Sequence, residues 1–181
     1  MQLWVAQTLR SYVTQLRAVP YSPNWSGAPG PFNQTDTPLS CPPMWIFTES
    51  GAGPFDSYDA MTRWFDTRRT RLMLYLYEVR RGELPEVSTF DNSDPLVVSH
   101  GDLNMRNILL EKDQVSGHYS KIWLIDWDYA GFYPPSMEYA FMLAIPGLPQ
   151  LWMNYVPFIA GSYHRQYEFF RFLQHGFLAL V

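Results

Sequence analysis

The stretch Val97-Val98-Ser99-His100-Gly101-Asp102-Leu103-Asn104-Met105-Arg106-Asn107-Ile108-Leu109-Leu110, followed after a polar turn by Lys121-Ile122-Trp123-Leu124-Ile125-Asp126-Trp127-Asp128-Tyr129-Ala130-Gly131, decides how this chain is read. Residues 108–111 and 122–125 are short runs of β-forming composition, and residues 112–121 between them hold turn formers such as Asp113, Ser116 and Gly117. That is the pattern of a hairpin. Antiparallel pairing of the two runs sets Asn107, just before the first, across from Asp126, just after the second. Opposed residues in such a ladder have Cα atoms about 4.5–5.5 Å apart, so an amide oxygen and a carboxylate at the open end would reach one hard cation.

Asp102 lies five residues before Asn107, in a loop that leaves the apolar residues 96–98 and carries Gly101 beside it. A carboxylate so placed, near a cation site, fits a base that takes a proton from an attacking hydroxyl. Mg²⁺ favours a few protein oxygens plus substrate phosphates over a full protein cage, so two protein ligands suffice. The plainer reading makes Asp102 and Asn107 turn formers, for which both residue types are favoured, and Asp126 the end of a strand.

His100-Gly101-Asp102, then Asn107, then Leu124-Ile125-Asp126-Trp127 after a hairpin, resembles the catalytic core of the aminoglycoside phosphotransferases and choline kinases, relatives of the protein kinases. The resemblance implies Asp102 as catalytic base, Asn107 and Asp126 as Mg²⁺ ligands, and transfer of the γ-phosphoryl group of ATP, or another nucleoside triphosphate, to a small-molecule hydroxyl. His100 and Gly101 would be structural members of the loop. Arg106 would either offset phosphoryl charge or pin the loop. The implied fold is α+β and mainly helical, a protein-kinase-like C-terminal catalytic lobe with a short β-hairpin, spanning 1–181 as a partial domain.

A complete member of that family would first have a β-rich nucleotide lobe, with a loop over the phosphates and a lysine that holds them. That N-terminal lobe is expected to be missing here, because the two lysines, Lys112 and Lys121, fall in or beside the hairpin turn. Apolar surface is therefore expected near the first helix and the loop bearing Asp102, where the absent lobe would dock. Two other readings stay open. One is a shortened, inactive binding module that keeps the fold; the other is a metal-assisted hydrolase.

Composition narrows the field. The 181 residues are 47% hydrophobic and 17% aromatic, enough for a folded core. A formal net charge of -4 argues against a general nucleic-acid binder. The lone cysteine, Cys41, rules out an internal disulfide and has no basic neighbour to activate it. No secretory signal and no apolar run of about 18 residues is present, so no membrane partner and an intracellular, cytoplasmic location are expected.

Along the chain, Val5, Leu9, Val13 and Leu16 mark an amphipathic helix over residues 3–16, ended by Pro20. Residues 20–54 hold eight of the fifteen prolines, with a short strand expected at Trp45-Ile46-Phe47-Thr48. Gly51-Ala52-Gly53 lacks the lysine of a phosphate loop. Asp56 or Ser57 would cap a second helix running to Arg80-Arg81, with Gly82 as its stop. Arg63, Arg68, Arg69 and Arg71 read as a solvated face with Asp59 and Asp66 as neighbours. A polar connection over 84–95 leads to the core stretch. Residues 137–145 form a helix stopped by Pro146, and two further helices are expected over 151–159, interrupted at Pro157, and 163–178. Glu138 and Asp128 are candidates to meet a substrate amine or hydroxyl, Glu138 being equally suited to offset the helix dipole. His164 and His175 fit no metal-ligand pattern.

Overall fold

The computed structural model describes residues 2–21, 25, 27–32, 37–79, 85–144 and 147–180, the side chains of 175–180 excepted. The helix stops expected at Gly82 and Pro146, and the side chain of His175, lie outside the described residues. Within them the chain is α+β and mainly helical, with five α-helices and two small antiparallel sheets. Among the described residues no helix is long and apolar enough to cross a membrane.

Helix α1 (Gln2–Arg17) buries Ala6, Leu9 and Val13, a stripe spaced by three and four residues. Helix α2 (Tyr58–Val79) begins as its capping residue predicts, since Ser57 Oγ accepts the Ala60 N–H at 3.1 Å. Ser57→Ala should therefore cost about 1 kcal/mol, measurable as a lowered denaturant midpoint with no change in slope. Phe65 of α2 is fully buried; its ring stacks on Phe90 at 4.8 Å and meets Phe170 edge-on at 5.6 Å. That aromatic group centres one half of the core, which Met61, Met137, Phe141 and Phe169 complete.

Three expectations for this region need correcting. Residues 45–48 form a turn, with the Phe47 N–H bonded to Met44 O at 2.9 Å. That bond closes three residues back along the chain, and Thr48 alone pairs, in an isolated bridge with Gly51, so no ladder runs through the segment. The arginine cluster is not simply a solvated face. Arg68 reaches Ile46 O at 3.2 Å and lies over the Trp64 ring, while Arg69 Nε bonds Val87 O at 2.9 Å. These two guanidiniums fasten loops to α2, and Asp66 does the same by accepting the Phe90 N–H at 2.8 Å. The connection before the core stretch is not uniformly polar either, because it delivers Phe90 to the interior. Cys41 is buried, and that burial pushes its thiol up to about 12, in keeping with an inert side chain.

The first sheet joins β1 (Gly30–Pro31), β5 (Gly131–Tyr133) and β2 (Val97–Ser99), with β5 in the middle. Ser99 pairs with Gly131, which sets the exit of β2 beside the entry of β5. The second sheet is the expected hairpin, β3 (Ile108–Lys112) with β4 (Tyr119–Leu124). Its register differs by one residue from the sequence reading. Ile108 faces Leu124, so the ladder continues to Asn107 opposite Ile125, whose N–H bonds Asn107 O at 3.1 Å. Asp126 has already left the strand, with φ at 65°. Ile122 is buried on the inner face of the hairpin, and Tyr12 of α1 donates its hydroxyl to Ile122 O at 2.9 Å.

Helix α3 (Pro135–Leu143) starts on a proline at N1 and buries every residue from Pro135 to Met142. Helix α4 (Gln150–Ala160) passes through Pro157 without interruption. The proline falls in the last turn, and Gly161, at φ 91°, closes the helix by donating its N–H to Pro157 O at 3.1 Å. Helix α5 (His164–Leu180) adds Phe169, Phe170 and Leu173 to the core. The other half of the core sets Leu9 and Val13 against Trp152, Val156 and Ile159, with Leu103, Ile122 and Met142 beneath the hairpin. An open apolar groove of about 390 Å³ runs between α1, β3 and α4, lined by Val5, Met105, Ile108, Leu151 and Tyr155 among others.

Candidate active site

The loop between β2 and β3 is built by short-range hydrogen bonds around Asp102. Asn107 donates its amide to Asp102 Oδ2 at 2.7 Å and to Asp102 O at 2.9 Å. Asn104 does the same to Asp102 Oδ1 and O, both at 2.9 Å. The oxygen of Asn104 accepts the Arg106 N–H at 2.9 Å and thereby caps a 3₁₀ turn, Met105–Asn107. The half-buried Asp102 carboxylate is thus gripped on both oxygens, and Arg106 stands exposed on the turn beside it.

His100 braces this loop from within. The Asp102 N–H donates to its Nδ1 at 3.3 Å, which places the ring hydrogen on Nε2, and Nε2 donates to Ile125 O at 3.0 Å. Ile125 is therefore bonded on both sides, its N–H to Asn107 and its carbonyl to His100. Asp126 follows immediately, in the left-handed conformation that aspartate, asparagine and glycine adopt with least cost. Its side chain is exposed. The Trp127 ring lies 4.4 Å from that of His100, and the 127–130 turn closes with the Ala130 N–H on Trp127 O at 2.9 Å. Gly101, at φ 81°, packs so tightly on this turn that a Cβ would stand 2.3 Å from Tyr129 O. Two segments some twenty residues apart are fastened by His100 and Gly101 into one surface.

Of the predicted residues, the structure brings Asp102 and Asn107 into direct contact and holds Asp126 next to their shared anchor. Asp128 is exposed within the 127–130 turn. Glu138 is placed otherwise than expected. It is 2% exposed, and its Oε2 accepts the N–H groups of His100 at 2.6 Å and Gly101 at 3.3 Å. Burial drives its carboxyl above the usual range, against the opposing pull of those two amides and of Arg17. A side chain engaged in this way supports the loop from the interior and is not offered to a substrate. Asn104 is a further residue that the sequence reading passed over, and an asparagine just ahead of a short helical turn is its signal.

The oxygens available to a cation are few. Among the described residues no three histidine, cysteine or acidic side chains cluster as a metal site. Both described bonds of the Asn107 side chain use its amide nitrogen, so Oδ1 stays available as a ligand atom. An amide oxygen and an exposed carboxylate are the kinds of ligand that Mg²⁺ takes together with phosphate oxygens, so Asn107 and Asp126 are the residues that could hold it.

The family model described as the phosphotransferase enzyme family matches residues 42–173. The chain belongs to this phosphotransferase family. The match takes in every residue of the loop and hairpin just described, in agreement with the resemblance to aminoglycoside phosphotransferases carried by His100-Gly101-Asp102 and Asp126. No curated protein and no solved structure is significantly similar to this phosphotransferase-family chain.

Proposed function

We propose that the chain transfers the γ-phosphoryl group of a nucleoside triphosphate to a hydroxyl of a small molecule, with Asp102 as the base. The observation that carries this reading is the double fastening of Ile125, which keeps Asp126 beside a loop where Asp102 and Asn107 are already joined. Asn107 Oδ1 and the Asp126 carboxylate would hold Mg²⁺, whose charge would offset that of the phosphates. Asp102 orients the acceptor hydroxyl and receives its proton as the new oxygen–phosphorus bond forms and the bond to the nucleoside diphosphate breaks. Arg106, exposed on the turn beside Asn107, would offset phosphoryl charge, and the exposed Asp128 would meet an amine or hydroxyl of the acceptor.

A second reading, an inactive binding module that keeps the fold, draws on the lysines. Lys112 Nζ lies 5.2 Å from the Tyr119 ring centroid and Lys121 Nζ 4.4 Å from that of Trp123, so both are occupied on the hairpin. Calorimetry with ATP, in the presence and absence of Mg²⁺, followed by a nucleotide-consumption screen against small alcohols and amino sugars, separates the two readings. Mg²⁺-dependent binding weakened at least about tenfold in Asp126→Ala, together with consumption on one acceptor, is the expected result. Binding without consumption on any acceptor would favour the second reading. Nucleotide binding unaffected by Mg²⁺ and by Asp126→Ala would count against the ligand set.

A further inference from the structure

Glu138 uses one carboxyl oxygen and leaves the other without a partner. Oε2 accepts two backbone N–H groups from the Asp102 loop, whereas Oε1 is buried with no hydrogen bond at all. For a carboxylate this leaves half of a delocalised charge facing no donor inside the core, the costliest way to bury an oxygen. A carboxylic acid with its proton on Oε1 keeps both bonds to Oε2 and buries only an unpaired hydroxyl.

The surrounding charges do not reverse that preference. On the loop, the His100 ring is committed to Ile125 O and the Asp102 N–H. Arg17, from α1, donates its guanidinium to Ala160 O at 2.7 Å and Pro135 O at 3.3 Å, and Asp94 also acts on it. On α5, His164 bonds the Tyr139 hydroxyl at 2.8 Å. Strand β2 and helix α4 contribute no acid or cation from their sequences. We propose that Glu138 anchors the His100-Gly101-Asp102 loop as the neutral acid, so that loss of this one buried proton loosens the loop that carries Asp102.

The direction of the shift agrees with this geometry, since burial raises the Glu138 carboxyl. An acid raised on folding stabilises the folded state fully below its unfolded value, and that contribution is lost as pH rises through the folded value. Between the two, unfolding releases one proton, so the unfolding constant rises about tenfold per pH unit from this group alone.

The test compares the denaturant midpoints of the wild-type chain and Glu138→Gln from about pH 5 to about pH 9. The amide mimics the neutral acid and cannot titrate. The wild type should lose stability relative to the variant as pH rises, and its infrared spectrum should carry a protonated-carboxyl stretch that the variant lacks. Curves that run parallel, or a spectrum without that band, would overturn the proposal. The link from this anchor to catalysis rests on the function proposed above, but neither readout requires turnover. A chain with the expected pH slope and no phosphoryl transfer would defeat that function and leave the neutral anchor standing.

Discussion

Asp102→Ala is expected to lower nucleotide consumption by roughly 10²–10⁴-fold, the range that a positioned general base contributes. The fold should survive the change. Asn104 and Asn107 each bond the Asp102 main-chain oxygen at 2.9 Å as well as its carboxylate, so removing the side chain leaves both amides with a partner. Two bonds to the carboxylate are lost, from Asn104 and Asn107, so the loss in stability should be roughly 1–3 kcal/mol, limited by the partners both donors keep. Asp102→Asn sharpens the experiment, because it preserves size and polarity and removes the proton acceptor. Initial rates on an identified acceptor, read with a denaturation midpoint for each variant, provide the check. A variant that consumes nucleotide at the wild-type rate would show that Asp102 is not the base. A variant that unfolds would show that its carboxylate mainly holds the loop together.

Gly101→Ala should damage the same loop from its backbone side. At φ 81° an alanine is strained whatever the space around it, and here its Cβ would also stand 2.3 Å from Tyr129 O and 2.8 Å from Tyr129 C. These are main-chain atoms of the 127–130 turn and cannot swing aside as a side-chain end would. Left-handed strain and overpacking together should cost roughly 2–5 kcal/mol. Relief of the clash would move the turn that follows Asp126, so Mg²⁺-dependent nucleotide binding should weaken along with thermal stability. Gly117→Ala is the matching control: φ there is 68°, with no neighbouring atom within 4 Å of the new Cβ, so only the strain remains. Equal losses at the two positions would mean that the packing of Gly101 on Tyr129 contributes nothing.

Local pattern reached the parts of this fold that local pattern controls. The stripe of α1, the serine cap of α2 and the hairpin all follow from spacing and turn chemistry within a few residues. The three-stranded sheet does not. Gly30 pairs with Phe132 across a hundred residues of chain, and strands of two or three residues are too short to show an alternation. The turn at 45–48 escaped for a related reason, because a run of β-forming residues does not reveal that the Phe47 N–H folds back onto Met44 O. At the site, Asp102, Asn107 and Asp126 were legible as a motif, while the register that relates the last two was displaced by one residue. Glu138 was visible as a candidate and assigned the wrong neighbours. A single acid within the otherwise apolar run Met137-Glu138-Tyr139-Ala140-Phe141-Met142 marks an interior position, and only the packed structure shows that its oxygen faces His100 and Gly101.

The anchoring of the hairpin by Tyr12 bears on where this domain can be cut. The matched segment begins at residue 42, yet Leu9 and Val13 fill the space against Trp152, Val156 and Ile159, and Arg17 ties off the carbonyls of Pro135 and Ala160. A fragment trimmed to the matched boundary would bare that half of the interior and strip Ile122 of its tether. The smallest piece able to fold by itself is therefore larger than the segment that reveals its ancestry.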